Sequence, residues 1–295
     1  MLASELARLP PLLRALRPLQ WTKNGVIFAA LVFDRKVFEP EPLLNTLFAV
    51  LVFICVSGAV YLINDLHDAT SDRLHPLKRL RPIAAGQLSA RTALSTAGLL
   101  IAVGVVGSWL IRMELTVVVL GYLALMIAYS LGLKRMAILD VFAIATGFVL
   151  RAVAGAVAIA VTISPWLLVC TMLLALFLGF AKRRQELTLL PDAAAHRANL
   201  QDYSVPLLDQ LIGICAAATV MAYAFYTFDA VAVPDNHSMM LTVPIVTYAI
   251  FRYLMLVERR NHGGSPEAVL FTDRPLLGSI VAWGLGSIVI LYLAS

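Results

Sequence analysis

The chain has 295 residues, of which 60% are hydrophobic and only 14% are charged. A soluble domain of this length carries nearly twice that share of charge, so the composition excludes a water-soluble globular protein. The net charge of +5 and the mean hydropathy of +0.85 indicate a protein that is folded in lipid.

Apolar runs close to the roughly 20 residues that cross a bilayer recur along the whole chain. Backbone groups in lipid must satisfy one another, so these runs predict an all-α, polytopic membrane protein. The nine expected spans are 19–34, 43–64, 91–111, 115–133, 138–160, 164–181, 206–228, 239–257 and 275–294. We expect them to form one transmembrane domain, 19–295, preceded by an amphipathic segment, 1–18, that lies on the cytoplasmic surface.

The distribution of Lys and Arg predicts the orientation. Most of the 23 cations fall in segments that share one side when nine spans are counted, and the loop between the seventh and eighth spans carries none. Basic loops face the cytoplasm, so the N-terminus is expected inside and the C-terminus outside a bacterial plasma membrane. These loops also explain the pI near 9.2, so no nucleic-acid partner is expected.

The second span ends in an acidic run that the burial of a helix does not require. Asn64, Asp68 and Asp72 are spaced by four residues, which stacks their side chains on one helix face beside Asp65. Such oxygen ligands suit Mg²⁺, which completes its coordination with substrate phosphates. The alternative is a solvated helix end paired with Arg73, but ionisable groups at the mouth of a span are costly to keep.

A basic loop follows directly and holds Arg73, Lys78, Arg79 and Arg81. Beside a magnesium site, such a loop supplies counter-charge to phosphate oxygens that the metal leaves free, and Arg does so through paired hydrogen bonds. Inner loops of membrane proteins are basic in any case, so topology alone is the alternative for each residue. Arg81 is the preferred phosphate ligand.

These motifs resemble the UbiA superfamily of intramembrane prenyltransferases, whose signature N-D-x-x-D-x-x-x-D closes the second of nine helices. The resemblance covers nearly the whole chain and rests on Asn64, Asp65, Asp68, Asp72, Arg81-Pro82, Gly86, Tyr129-Ser130, Lys134-Arg135, Asp140-Val141 and Phe148-Val149-Leu150-Arg151. It implies a helical bundle with an active site that faces the cytoplasm. It also implies that the first motif binds Mg²⁺ and a diphosphate, so that a diphosphate-bearing electrophile ionises in a cavity open to the membrane.

The second half departs from the usual family pattern. Where most members carry a second motif, D-x-x-x-D, this chain reads Lys182-Arg183-Arg184-Gln185-Glu186. Cations cannot hold a second Mg²⁺, but they can bind further phosphate groups directly. The substrates are therefore expected to carry more phosphate than a prenyl diphosphate and an aromatic acceptor do.

With this pattern the chain resembles the decaprenyl-phosphate phosphoribosyltransferase branch of the superfamily. The additional segments are Gln20-Trp21-Thr22-Lys23-Asn24, Tyr203-Ser204, Leu208-Asp209-Gln210, Gly263-Gly264-Ser265-Pro266-Glu267 and Asp273-Arg274-Pro275-Leu276. The branch implies transfer of 5-phosphoribosyl from phosphoribosyl diphosphate to a polyprenyl phosphate, with release of diphosphate, for the synthesis of cell-wall arabinan precursors.

The resemblance also implies roles for individual residues, which are hypotheses at this point. The expected metal ligands are Asn64, Asp68 and Asp72, and the expected catalytic residues are Asp65, Asp68, Asp72 and Arg151. The expected substrate-binding residues are Lys23, Arg81, Tyr129, Lys134, Arg135, Asp140, Lys182, Arg183, Arg184 and Glu186. The cations after the sixth span are candidates for the ribose 5-phosphate or the lipid phosphate, and Glu186 for a ribose hydroxyl or for orienting those cations.

Arg151 lies eleven residues past Asp140, about 16 Å along a helix, and therefore well inside the fifth span. A guanidinium at that depth needs a partner or an aqueous cavity, and function is the default interpretation of an ionisable group in a membrane. The alternative is a structural pair with an inward carboxylate or with helix-end carbonyls. Asp140 is interpreted as catalytic, as a support for the metal, or as the cap of the fifth span.

Two other functions stay open from the sequence. The nearest is a prenyltransferase that moves a polyprenyl group onto an aromatic acceptor, although the missing second aspartate motif argues against it. The other is a multi-span transporter or scaffold, but transporters place polar groups near mid-membrane on broken helices, whereas here they gather at one face. Self-association into a homo-oligomer is left open.

Overall fold

The computed structural model describes residues 9–189, 198–230, 233–260, 269 and 272–293. Within these residues every regular element is a helix, and eight helices are long and apolar enough to cross a membrane. The all-α prediction is therefore confirmed. The α-helices are α1 Pro11–Ala15, α2 Phe28–Phe33, α3 Pro40–His67, α4 Ala69–Leu74, α5 Ala90–Ile111, α6 Met113–Leu131, α7 Leu139–Ala158, α8 Pro165–Leu189, α9 Val205–Asp229, α10 Val243–Arg260 and α11 Arg274–Leu293. Short 3₁₀-helices lie at Pro18–Ile27, Lys78–Leu80, Leu133–Arg135, Ala198–Asp202 and Ser238–Thr242.

The first expected span, 19–34, is built differently from the others. The chain runs as a 3₁₀-helix, Pro18–Ile27, and continues as α2. Asn24 and Ile27 are buried, and a Cβ added at Gly155 would lie 2.0 Å from the carbonyl oxygen of Ile27. This segment is therefore packed tightly against α7. Together with the eight long helices it accounts for the nine expected spans.

Helix α7 connects the two halves of the bundle. Val141 and Ala145 belong to a core cluster shared with α8, α9 and α10. Ala154 and Ala156 belong to a second cluster shared with the first 3₁₀-helix, α3 and α6. Small side chains on both faces let the neighbouring helices approach closely. Residues that α7 carries are therefore placed at the centre of the molecule.

The outer surface of the bundle is apolar. On α5, Leu99, Val103, Val106 and Leu110 recur at helical spacing, and each is at least half exposed. Soluble monomers rarely expose continuous apolar faces of this kind. The surface is suited to lipid, and the chain is a multi-pass membrane protein.

Ion pairs between helix ends show which ends lie on the same side. Lys134, Arg183 and Arg184 join the end of α3, the start of α7, the end of α8, the start of α9 and the end of α10. The helices therefore alternate in direction, as consecutive spans require. This is the end of the bundle that the distribution of cations predicts to face the cytoplasm, and that orientation stays a prediction.

The expected N-terminal segment, 1–18, is described only in part, because residues 1–8 lie outside the described ranges. Ala15 and the partly buried Leu16 pack with Ala59 and Leu62 of α3. This portion of the segment is therefore held by the bundle. Its division from the transmembrane domain at residue 18 stays a prediction, and the segment 263–267 that contributed to the branch resemblance also lies outside the described residues.

Candidate active site

The acidic motif spans the end of α3 and the short helix α4. Asp68 lies at the break between them, with φ −90° and ψ 0°. The helical hydrogen-bond pattern continues across the break. The amide of Asp68 donates to the carbonyl oxygen of Asn64 (2.9 Å), and the amide of Asp72 donates to that of Asp68 (2.8 Å). The spacing of four therefore still stacks these three side chains on one side of the helix.

Two arginines bind the buried carboxylates of this motif. Arg81 Nη1 donates to Asp65 Oδ1 (3.1 Å) and to Asp72 Oδ2 (2.7 Å). Arg17 Nη2 donates to Asp65 Oδ1 (2.5 Å). Asp65 and Asp72 are only 2% and 3% exposed, whereas both arginine side chains are about a quarter exposed. The guanidinium groups therefore cover the buried acids and remain open to an incoming anion.

Lys134 reaches the other two members of the motif from the turn Leu133–Arg135 between α6 and α7. Its Nζ lies 2.5 Å from Asp68 Oδ1 and 3.3 Å from Asn64 Oδ1. The oxygens of two predicted metal ligands thus converge on one cation position. The third predicted ligand, Asp72, binds Arg81 instead.

This donor set fits Mg²⁺. Carboxylate and amide oxygens are hard ligands, and Mg²⁺ in proteins commonly takes one or two carboxylates and fills its octahedral shell with water and phosphate. In the described ranges, no three His, Cys, Asp or Glu side chains are gathered around one point. Arg17, Arg81 and Lys134 each pair with a carboxylate of the motif. The protein alone therefore supplies two converging oxygens rather than a complete cage.

A second charged cluster lies where α7 begins and α8 ends. Arg183 Nε donates to Asp140 Oδ2 (2.7 Å), and its Nη1 donates to Glu186 Oε2 (2.6 Å). Tyr203 donates its hydroxyl to Asp140 Oδ1 (3.0 Å) and accepts from the amide of Ile138 (2.5 Å). Burial raises the pKa of Tyr203 to about 12, so this hydroxyl stays protonated at neutral pH. Arg183, which is 2% exposed, is thereby fixed in position.

Another cation predicted to bind substrate, Arg184, lies outside this cluster. Arg184 turns away from Arg183 and binds Asp209 of α9 and Glu258 of α10. It borders a separate cavity of about 350 Å³. The remaining predicted residues are half-buried or exposed: Lys23, Tyr129, Arg135 and Lys182.

Arg151 is buried within α7, and its guanidinium binds neutral groups. Nε donates to Asn24 Oδ1 (2.8 Å), Nη1 to the carbonyl oxygen of Gly147 (3.0 Å) and Nη2 to the hydroxyl of Tyr122 (2.8 Å). Its Cζ lies 4.7 Å from the ring centroid of Tyr122 and 5.4 Å from that of Phe148. The carbonyl of Gly147 belongs to the interior of α7 rather than to a helix end, and no described carboxylate is within ion-pair distance of Arg151.

Four residues of these clusters are not among the predicted site residues: Arg17, Asn24, Tyr122 and Tyr203. Arg17 has a left-handed backbone (φ 53°), and its side chain meets Asp65, 48 residues away. Asn24 and Tyr203 contributed only to the branch resemblance. Tyr122 lies in an apolar span, where an aromatic residue gives no signal of its own. Only the contact with Arg151 distinguishes it.

Both the sequence and the fold of this chain are similar to those of known proteins. The profile of the UbiA prenyltransferase family matches residues 25–272. The chain is 34% identical to the decaprenyl-phosphate phosphoribosyltransferase of Mycolicibacterium smegmatis over 285 residues, which cover 92% of this chain and 89% of that protein. The protein of the same name from Corynebacterium glutamicum is also 34% identical, over 92% of this chain and 84% of its own length.

A solved structure shows the same fold. The UbiA homologue from Archaeoglobus fulgidus, bound to GPP and Mg²⁺, matches with a TM-score of 0.74 over 96% of this chain and 99% of that chain. The two are 19% identical, so this likeness is one of fold. Because the family profile matches most of the sequence and relatives at 34% identity match nearly all of it, the chain belongs to the UbiA prenyltransferase family.

Proposed function

We propose that this protein transfers a 5-phosphoribosyl group from phosphoribosyl diphosphate to a polyprenyl phosphate and releases diphosphate. Its relatives at 34% identity are decaprenyl-phosphate phosphoribosyltransferases. The observation that carries the proposal is that Arg17 and Arg81, each about a quarter exposed, cover the buried acids Asp65 and Asp72. These guanidinium groups bind the same acidic motif in which the oxygens of Asn64 and Asp68 converge, so the motif offers positive charge to phosphate beside the predicted metal position.

The donor diphosphate is proposed to bind at the acidic motif. Mg²⁺ bound there would neutralise charge on the leaving diphosphate, so that no general acid is required. Asn64 and Asp68 supply the converging oxygens, and Asp72 is the third predicted ligand. Lys134 would then release its hydrogen bond to Asp68 and donate to a phosphate oxygen instead. Arg81 would bind the phosphate as well as the buried acids Asp65 and Asp72.

The reaction exchanges one C–O bond for another. The bond from C1 of the ribose to the diphosphate breaks, and the electron pair leaves with the diphosphate. An oxygen of the lipid phosphate forms the new bond to C1. Because that phosphate is anionic at neutral pH, no base is needed, and the protein acts by bringing two polyanions together. Two polyanions need compensating positive charge, and Arg17, Arg81 and Lys134 supply part of it at the acidic motif.

The reaction is proposed to take place at the cytoplasmic face of a bacterial plasma membrane. Both charged clusters lie at the end of the bundle where the basic loops gather, and basic loops stay inside. Phosphoribosyl diphosphate is soluble and can enter from that side. The prenyl tail of the acceptor stays in the bilayer, against the apolar outer surface of the bundle.

The test incubates purified protein with Mg²⁺, labelled phosphoribosyl diphosphate and a polyprenyl phosphate. A parallel reaction supplies polyprenyl diphosphate and 4-hydroxybenzoate. We expect label to pass into lipid only in the first reaction, and to be lost without metal or with Asp68→Ala. Asp235→Ala, which removes an exposed acid between α9 and α10, is the matched control and should keep full activity. Product in the second reaction alone would make the protein a prenyltransferase for an aromatic acceptor.

A further inference from the structure

Three arginines are buried in the described part of the chain, and one of them has no acidic partner there. Arg183 and Arg184 each bind two carboxylates. Arg151 is equally buried, at 5% exposed, and its partners are an amide, a backbone carbonyl and a phenol, all of them neutral. An unpaired guanidinium inside a membrane helix is costly. The contrast indicates that a negative charge from outside the protein completes this site.

The groups around Arg151 present hydrogen-bond donors that are not used. A guanidinium has five N–H groups, and the three hydrogen bonds of Arg151 occupy three of them. Asn24 turns its Oδ1 to Arg151, so its Nδ2 points elsewhere, and that nitrogen is buried with no partner in the described residues. Tyr122 accepts from Arg151, which leaves its own hydroxyl hydrogen to donate. Asn24 and Tyr122 each contact Arg151, so three neighbouring side chains hold unused donors that suit an oxyanion.

This cluster lies deeper in the bundle than the acidic motif and close to it. The bond to Gly147 brings the guanidinium one turn back along α7, to a level about 10 Å beyond Asp140. The half-buried Tyr61 lies between the two regions. Its ring centroid is 4.8 Å from Arg17 Cζ, and it is within electrostatic reach of Tyr122. Tyr61 therefore links the acidic motif to the residues around Arg151.

We propose that Arg151, Asn24 and Tyr122 form a second anion subsite, which binds a phosphate monoester. This inference rests on the proposed function, in which each substrate carries one such group: the 5-phosphate of the donor and the phosphate of the lipid. The leaving diphosphate has its own cations at the acidic motif, so the deeper subsite takes a phosphate that is retained in the product. The planar fork of Arg binds two phosphate oxygens at once, which a lysine cannot do.

The substitution Asn24→Asp separates a binding role from a structural one. The carboxylate has nearly the shape of the amide and would pair with Arg151, so the fold keeps its stability while the free positive charge and the Nδ2 donor are lost. Binding is measured by isothermal titration calorimetry with two probes that cannot react alone, ribose 5-phosphate and farnesyl phosphate. Inorganic diphosphate serves as the probe of the acidic motif.

We expect Asn24→Asp to weaken the binding of at least one monoester by about tenfold or more, with diphosphate affinity and melting temperature preserved. A loss for ribose 5-phosphate identifies the phosphate of the donor, and a loss for farnesyl phosphate identifies that of the lipid. Tyr122→Phe should weaken the same probe by roughly threefold or more. Tyr226→Phe removes a buried hydroxyl that has no partner in the described residues, and it should change nothing. Unchanged binding of both monoesters by Asn24→Asp would overturn the subsite.

The proposed function is tested separately, by transfer of label in the wild-type protein. If no phosphoribosyl group is transferred but Asn24→Asp still loses monoester binding, the subsite stands and the reaction is wrong. If label is transferred and Asn24→Asp binds both monoesters like the wild type, the reaction stands and the subsite is wrong.

Discussion

Lys134 Nζ lies 2.5 Å from Asp68 Oδ1, at the point where that oxygen and Asn64 Oδ1 converge. The lysine belongs to the turn between α6 and α7, whereas both acceptors belong to the end of α3. A cation from one part of the chain thus occupies the place predicted for Mg²⁺ in another. In the proposed reaction the same lysine competes with the metal before the donor binds and holds phosphate afterwards.

Lys134→Met should therefore act in opposite directions on metal binding and on turnover. Without substrate, Mn²⁺ should bind roughly two- to fivefold more tightly, because a competing ammonium is gone. The kcat/KM for the donor should fall by about ten- to hundredfold, because a charged hydrogen bond to phosphate is lost. Titration of Mn²⁺ followed by electron paramagnetic resonance and steady-state kinetics measure the two effects. Lys36→Met, which removes the partner of Asp34, is the control, and weaker Mn²⁺ binding by Lys134→Met would contradict the competition.

Arg17→Gln tests a site residue that the structure added. Among the described residues, Asp65 would keep only Arg81 as a partner, and one cation facing the diphosphate would be lost. We expect activity to fall by about tenfold or more. Arg14→Gln, one turn earlier, removes a guanidinium whose partner is the Gln87 side chain and should stay within twofold of the wild type. Equal activity of the two variants would show that Arg17 has no role in the active site.

The acidic motif could be predicted because its members are close in the sequence. The positions of Asn64, Asp68 and Asp72 need only helical hydrogen bonds, and these persist across the break at Asp68. The contact with Arg81 is also short in sequence, nine residues from Asp72. Local helix geometry is therefore enough to predict most of this half of the site.

The second cluster could not be predicted from spacing, because it depends on which helix faces meet. Arg183 and Arg184 are neighbours, and consecutive residues on an α-helix point about 100° apart. Arg183 faces α7 and Arg184 faces α9 and α10, and the sequence gives both the same type of side chain. The partner of Arg17 is likewise 48 residues away, beyond the reach of any local pattern.

The two acids that hold Arg183 should differ in their effect on stability. Asp140 is fully buried, so Asp140→Asn leaves a buried guanidinium partly uncompensated and should cost about 3 kcal/mol or more. Glu186 keeps a quarter of its side chain exposed, so Glu186→Gln should cost about 1 kcal/mol or less. Thermal unfolding in detergent measures both. Equal losses would mean that the burial of Asp140 does not decide its contribution.

The hydrogen bond from Tyr203 to Asp140 should be insensitive to pH over the usual working range. Burial raises the pKa of Tyr203 to about 12, above its ordinary value near 10. A pKa raised in the folded state means that its contribution to stability is complete below about pH 10 and is lost as the pH rises from about 10 to 12. Tyr203→Phe should lower the melting temperature by a constant amount between about pH 6 and 9. A difference that changes within that range would point to another titrating group.

Gly155 should be intolerant of even one methyl group, because a Cβ there would lie 2.0 Å from the carbonyl oxygen of Ile27. Gly155→Ala must push the first 3₁₀-helix away from α7, at a cost of about 1–3 kcal/mol. Gly98→Ala is the matched control, since a Cβ at Gly98 meets nothing within 4 Å, and it should be neutral or stabilising by up to about 1 kcal/mol.

The displaced segment carries Arg17 directly before its first residue and Asn24 in its interior. Gly155→Ala should therefore reduce activity even under conditions in which the variant remains folded, because the acidic motif loses Arg17 and Arg151 loses Asn24 at once. Melting temperature and the rate of label transfer, measured on the same preparation, separate the two effects. A Gly155→Ala protein with wild-type activity and melting temperature would mean that this segment can move away from α7 without consequence. That result would contradict the roles assigned to Arg17 and Asn24.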